Sequence, residues 1–296
     1  MHRDRERRDR VVLAVETAGY LLTEADIVGR VHSVFAQACN VEFRAGLLTI
    51  GLPIVANGPL TLRLEPAATR DLRELFAVGE RVEGGRDCLY TARAEIAWAR
   101  AVVWHPGPRR DPVPATCIEA RLGQAAVRLA QARLRCPSVL DREAAAAAQA
   151  LGRACRTLTV RQAVRQVDRL IGWGEGLTPS GDDFLVGLLA GLDACPSSDA
   201  PRRDLRQALA RAVVAGVGRT TPIAAHFLRL AAAGHYAEPL LDLRDALVSQ
   251  ADDGGVDAAL GRALAIGATS GADAVSGLLG GVAAWVAPAP CVAAAA

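Results

Sequence analysis

The sequence predicts an α+β protein: a β-rich N-terminal domain, a small barrel or sandwich, over residues 11–105, followed by a mostly α-helical domain over residues 116–288. Three observations carry this. Short apolar, β-branched and aromatic runs separated by glycine, asparagine and proline turns fill the first hundred residues. Residues 106–115 are proline-rich and polar, the composition of a linker. Beyond them apolar residues recur at three- and four-residue spacing, the helical period.

Taken in order, Val11–Val15 is a short apolar strand candidate. Val31–Phe35 mixes β-branched and aromatic residues. Val41–Phe43 and Leu47–Ile50 flank an Arg44–Gly46 turn. Leu60–Leu64 alternates strictly after Asn57-Gly58-Pro59. Cys88–Tyr90 and Ala94–Trp98 follow Gly84-Gly85, and a helix is expected near Ala68–Phe76. In the second domain, Ile118, Leu122, Ala125 and Leu129 mark one face of a helix over Ile118–Leu134. Asp141 is placed to cap an alanine-rich helix reaching Cys155, and Thr159 to cap Val160–Ile171. Further helices are expected at Pro179–Asp193, Arg202–Gly216, Pro222–Ala233, Leu240–Ser249, Gly255–Ile266 and Ala272–Val286. A loop at Pro196–Asp199 and a tail at Val292–Ala296 complete the chain.

Composition excludes several chemistries. All 34 basic residues are arginine, so a Walker-A lysine, a pyridoxal Schiff base and a lysine nucleophile are absent. The net charge of +2 implies no bulk attraction to nucleic acid or membrane. The seven cysteines (Cys39, Cys88, Cys117, Cys136, Cys155, Cys195 and Cys291) are odd in number and widely spaced, which reads as buried thiols in a reducing compartment. Met1–Arg10 is charged, with no apolar core of a secretory signal. The longest apolar run, Ala274–Ala287, falls short of the ~20 residues that span a bilayer. A soluble cytoplasmic protein is the expectation. No nucleophile elbow, H-E-x-x-H or Rossmann fingerprint occurs.

One stretch concentrates chemistry: Gly172-Trp-Gly-Glu-Gly-Leu-Thr-Pro-Ser-Gly-Asp-Asp-Phe-Leu-Val-Gly187. Thr178 and Pro179 read as N-cap and first residue of a helix. Asp182 and Asp183 follow in its first turn, where the helix dipole favours negative charge. The pattern returns at Gly267-Ala-Thr-Ser-Gly-Ala-Asp-Ala-Val-Ser-Gly-Leu-Leu-Gly-Gly281. With one gap at Pro179, Gly176, Thr178, Ser180, Gly181 and Asp183 match Gly267, Thr269, Ser270, Gly271 and Asp273, and Gly187, Leu188, Leu189 and Gly191 match Gly277, Leu278, Leu279 and Gly281. A weaker variant is Gly216-Val-Gly-Arg-Thr-Thr-Pro222.

Each motif alone reads first as an ordinary cap, with its glycines serving close packing. Together they point to three helix N-termini feeding one site for a phosphate, carboxylate or oxyanion. The anion- and substrate-binding set is then Gly174, Gly176, Thr178, Ser180, Gly181, Arg219, Thr220, Thr221, Thr269, Ser270, Gly271 and Asp273. Asp182 and Asp183 are the catalytic candidates, since two adjacent carboxylates push one pKa upward. Thr178, Ser180 and Asp183 should face Thr269, Ser270 and Asp273. Glu175 could add a carboxylate. No metal is firmly implied, and magnesium at the aspartates stays open. His226, His235, His105, His32 and Ser33 read as packing or loop residues first.

Gly174-x-Gly-Leu-Thr-Pro-Ser-Gly-Asp-Asp-Phe-Leu-x-Gly187 resembles the signature of a bacterial family grouped with the AllH subunit of oxamate carbamoyltransferase. Gly29-Arg-Val-His-Ser-Val-Phe35, Thr220-Thr221 and Gly267-x-Thr-Ser-Gly-Ala-Asp273 resemble it too, so the likeness runs from about residue 12 to 286. It implies a subunit of a multi-subunit carbamoyltransferase in purine (allantoin) catabolism, exchanging a carbamoyl group between oxalurate and phosphate to give oxamate and carbamoyl phosphate. The residues also leave open a non-catalytic anion-binding or scaffold subunit, and a stand-alone metal-assisted hydrolase.

Overall fold

A computed structural model describes residues 10–22, 27–44, 46–66, 71–85, 87–108, 111–135, 142–194, 199–250 and 254–286. They divide into two compact units, Met1–Gly107 and Pro108–Ala296.

The first unit is a β-barrel, one of the two architectures expected. Its strands are β1 (Val11–Gly19), β2 (Ile27–Val34), β3 (Ala38–Phe43), β4 (Gly46–Gly51), β5 (Thr61–Leu64), β6 (Arg81–Gly85), β7 (Cys88–Tyr90), β8 (Ala94–Ala97) and β9 (Val102–Trp104). The order β5-β4-β3-β2-β6-β7-β8-β1 closes on itself because β1 also pairs with β5, antiparallel from Val15↔Leu64 to Ala18↔Leu62. The first half of β1 runs parallel to β8 and its last residues run parallel to β9. Alternation fills the interior: Leu13 and Val15, Cys39, Val41 and Phe43, Leu48 and Ile50, Leu62 and Leu64, and Ile96 form one buried cluster. The pairing of β2 with β3 shifts register between Val31 and Ser33, so His32 is the extra residue of a bulge.

The sequence reading missed β6, β9 and the extension of β1 to Gly19. The helix expected near Ala68–Phe76 is not formed in the described part of that span. Leu72–Glu74 makes a single 3-10 turn whose first N–H groups are held by Asp71, which accepts from Arg73 N at 2.9 Å. A turn is all that a local cap can nucleate without an apolar face. Asp141, residues 196–198 and the tail Val292–Ala296 lie outside the described residues.

The second unit has nine α-helices among its described residues: α1 (Ala115–Arg135), α2 (Arg142–Arg156), α3 (Val160–Leu170), α4 (Ser180–Leu192), α5 (Ala200–Gly216), α6 (Pro222–Ala232), α7 (Glu238–Val248), α8 (Gly254–Leu264) and α9 (Ser270–Val286). Pro112 and Val113 bridge to the end of α7, with Val113 N–H donating to the Val248 carbonyl. Thr159 occupies the N-cap of α3 but makes no side-chain cap bond.

Helices α4 and α9 are the centre. Both are apolar nearly all round and buried along most of their length, the mark of helices enclosed by others. They cross where glycine faces carbonyl. A Cβ at Gly187 would stand 1.8 Å from the Ala274 carbonyl oxygen, and one at Gly277 would stand 1.9 Å from that of Phe184. Gly191 meets the Leu278 carbonyl and Gly281 meets that of Leu188 in the same way. Phe184 aligns with Ala274 and Leu188 with Leu278 in the repeated motif, so the contacts are reciprocal. The repeat is a structural one, with approximate two-fold symmetry at the crossing.

Candidate functional site

Each central helix is entered through a glycine turn. Gly172, Gly174 and Gly176 have φ of +75°, +115° and +90°, and Gly267 has +59°. A Cβ at Gly172 would lie 2.6 Å from the Arg219 carbonyl oxygen, so this turn needs glycine for both its conformation and its close approach. Where the turns meet their helices, Gly181 rests on the Leu170 carbonyl of α3 and Gly271 on the Ala263 carbonyl of α8. Gly181 N–H donates to the Trp173 carbonyl and Gly271 N–H to that of Ile266. Each loop therefore consumes one of the N–H groups that the sequence reading assigned to a ligand.

The cap of α4 is one residue later than expected. Pro179 is the N-cap, with φ −53° and ψ 140°, and its carbonyl accepts from Asp182 N–H. Thr178 is thus released from capping. Its hydroxyl lies 2.8 Å from that of Ser270, the first residue of α9. This bond joins the first glycine loop to the start of the second central helix, across 92 residues of chain.

The two adjacent aspartates separate completely in role. Asp182 is buried, and both its oxygens are engaged: Oδ1 accepts from Gly172 N–H at 2.9 Å and Oδ2 from the Thr220 hydroxyl. Burial raises its pKa, while these two bonds and the charge of Arg219 pull it down. Asp182 thus ties the glycine loop to the Thr220 segment. Thr221 is the N-cap of α6; it accepts from Ala224 N–H and donates to the Leu177 carbonyl. The third motif is therefore bonded to the first at two points.

Asp183 points elsewhere. The hydroxyls of Ser270 and Thr178 reach its carboxyl, yet Oδ2 is buried with no hydrogen-bond partner among the described residues. Burial, and then the nearby charges of Asp273 and Asp182, raise its pKa to about 7, against the pull of the two hydroxyls. Asp273 is wholly buried in the first turn of α9. It pairs at 3.5 Å with Arg133 of α1, whose Nη2 also donates to the Ser276 hydroxyl at 2.6 Å.

Of the predicted residues, then, Thr178, Ser270, Asp183 and Asp273 form one cluster, with Asp182, Thr220 and Thr221 holding the loop beside it. Ser180 is buried at the start of α4, and Thr269 caps α9 through its carbonyl. Gly174, Gly176 and Glu175 lie on the exposed part of the loop. Arg219 is half-exposed and pairs with Asp168 at 2.7 Å. Arg133 and Ser276 were missed. Arg133 sits in a helix rich in arginine and carries no local signature.

Outside the cluster, His226 is buried on α6 and held neutral, its pKa lowered to about 4 by burial and then by Arg229. The thiols of Cys39 and Cys155 are buried, which pushes both up to about 12 and leaves them inert at neutral pH. Cys39, Cys88, Cys117 and Cys155 are all unbridged. Among the described residues no group of three His, Cys, Asp or Glu side chains is placed to hold a metal ion, and no helix is long and apolar enough to cross a membrane.

The cluster can hold a proton on Asp183, whose carboxyl the Ser270 and Thr178 hydroxyls reach, and offer a guanidinium at Arg133 beside Asp273 and Ser276. That combination suits proton transfer to or from a small polar molecule.

Residues 170–282 match the model of a family described as oxamate carbamoyltransferase subunit AllH, and residues 11–103 match the AllH family N-terminal domain. No curated protein and no solved structure matches the chain.

Proposed function

The chain belongs to the AllH family, and on that premise we propose that it is the subunit of a carbamoyltransferase-type enzyme that carries the proton-transfer carboxyl, Asp183. The substrate is a small ureido or carboxylate metabolite, with phosphate or carbamoyl phosphate as the second reactant. The observation that supports this most is the Asp183 carboxyl, buried beside Asp273, with Oδ2 left unpartnered and a pKa near 7. A buried carboxylate oxygen without a donor costs about 1–3 kcal/mol, and such costs persist where a ligand or reaction uses the group.

In the direction that consumes a ureido acid, a phosphate oxygen attacks the carbamoyl carbon and the bond from that carbon to the amide nitrogen breaks. The departing nitrogen takes a proton from the Asp183 carboxyl, and the proton of hydrogen phosphate restores it. A carboxyl with a pKa near the working pH serves as acid in this direction and base in the other. Asp182 acts through position alone, fixing the loop that carries Thr178. Partner subunits complete the assembly.

The test is turnover in the complex reconstituted with its partner subunits. Asp183→Asn keeps the shape of the protonated acid but cannot release a proton. It should lower kcat on the order of 10²–10⁴-fold while the complex still assembles on a sizing column. Turnover equal to that of the unaltered complex would remove Asp183 from the chemistry and favour a scaffold role.

A further inference from the structure

Helix α1 carries a second apolar face that its own neighbours leave uncovered. Its inner face buries Ile118, Ala125 and Leu129, and the helix lies against α7, α8 and α9. On the opposite side Thr116, Ala120, Gly123, Val127, Ala130 and Leu134 follow one another at alternating steps of four and three, and all six are exposed. Val127 is 59% exposed and Leu134 86%. A solvent-facing helix surface is ordinarily polar, and a narrow apolar seam at this spacing is the pattern of a coiled-coil contact. Gly123 is an independent sign. Glycine inside a helix destabilises it relative to alanine, yet a Cβ at Gly123 would meet nothing within 4 Å among the described residues. The surroundings of α1 give no reason for a glycine there; a second helix laid on the seam does.

We propose that this seam binds a second copy of the chain, with the two α1 helices antiparallel about a two-fold axis. When Val127 lies across from Gly123 of the other copy, Leu134 lies across from Thr116 and Ala120 from Ala130, and every pair is reciprocated as a two-fold axis requires. Each layer then sets a larger residue against a smaller one, or two alanines together, which is how facing positions fill space. A parallel pair would stack Leu134 on Leu134 and Gly123 on Gly123, crowding one layer and leaving a void in another. The flanks agree with the antiparallel register. Glu119 of one copy falls beside Arg133 of the other, and Gln124 meets its own counterpart on the axis, where two amides exchange hydrogen bonds. No like charges are opposed along the seam. Arg133 is partly exposed and pairs with Asp273, so the contact brings a carboxylate of the second copy to the rim of the aspartate cluster.

The six residues span about 27 Å of helix. A contact of that length and one helix wide is smaller than the ~800 Å² per partner of a standard interface, so dimerisation is expected at about 10–100 μM. The experiment is sedimentation equilibrium of the full chain from tenfold below that range to tenfold above it, with melting temperatures taken on dilute protein. Gly123→Glu places a better helix former in open space, so the melting temperature of the dilute protein should rise. In the dimer the same variant buries two charges against Val127, and association should weaken by about a hundredfold or more. Val127→Glu, at a position more than half exposed, serves if the glycine variant fails to fold. Glu119→Arg sets arginine against Arg133 of the other copy and should weaken association about three- to tenfold at low salt, and less at high salt. That variant reads orientation, because a parallel pair would place Glu119 beside Gln124. A chain that stays monomeric throughout overturns the proposal, as does a dimer that both glutamate variants leave intact. A dimer lost in Gly123→Glu but unchanged in Glu119→Arg overturns the antiparallel arrangement.

Discussion

Replacing Asp183 by asparagine should change how stability depends on pH, in the absence of any substrate. The folded carboxyl has a pKa raised from 3.8 to about 7. The folded state therefore binds this proton more tightly than the unfolded state, and the associated stabilisation is present at low pH and lost as pH rises through 7. At pH 5 the folded group is almost fully protonated and the unfolded one almost fully ionised; at pH 8 both are ionised. With 1.36 kcal/mol per pH unit, the unaltered protein gives up as much as about 2.5 kcal/mol between those two values. The asparagine side chain does not titrate. At about 2–4 °C per kcal/mol for a domain of this size, the variant's melting temperature should gain on the unaltered protein's by about 5–10 °C from pH 5 to pH 8. The difference between the two curves is the quantity to measure, by circular dichroism or calorimetry, because His226 and other titrating groups remote from Asp183 contribute equally to both. A difference that is flat across pH 5–8, or larger at pH 5, would refute the placement of a buried, proton-holding carboxyl at this position.

Two further outcomes test the frame around the site. Gly187→Ala puts a methyl group 1.8 Å from a backbone oxygen that has no room to yield, and should cost at least about 3 kcal/mol; Gly280→Ala, on α9 but with nothing within 4 Å, should gain about 0.5–1 kcal/mol, so the two melting temperatures should move in opposite directions. His226→Gln removes an imidazole whose pKa is lowered to about 4. A depressed histidine costs stability as pH falls from 6.5 through 4, so the variant should lose less in melting temperature between pH 7 and pH 4.5 than the unaltered protein.

Much of this was legible in the sequence, and the reasons differ by element. Strands such as Val41–Phe43 and Leu60–Leu64 announce themselves by alternation, because one face is buried and the other is not. β6 holds Arg81, Glu83 and two glycines, so its single buried valine gives no pattern. β9 has three residues, with Val102 and Val103 exposed. The closure of β1 on β5 is a long-range pairing that no local window carries. In the helical unit, the repeated Gly/Ser/Asp register implied the meeting of Thr178 with Ser270, since matching glycines on two apolar helices imply close crossing. The register also set Asp183, not Asp182, against Asp273. What it could not supply was the task of Asp182: neighbouring helical residues point about 100° apart, and its partners, Gly172 N–H and the Thr220 hydroxyl, lie outside the repeated helix starts. Nor could it find Arg133, whose partner lies 140 residues away.

The contacts that set the α4–α9 crossing are main chain against main chain, with no side chain between. In most helical cores the angle and spacing of two helices follow the volumes of the residues wedged between them, so every exchange of leucine for valine nudges the geometry. Here Gly187, Gly191, Gly277 and Gly281 let the backbones themselves act as the stop. The distance between the two first turns, and hence between the carboxyls of Asp183 and Asp273, is insulated from drift in the surrounding apolar residues. The core is free to vary while the spacing of the two carboxyls stays constant.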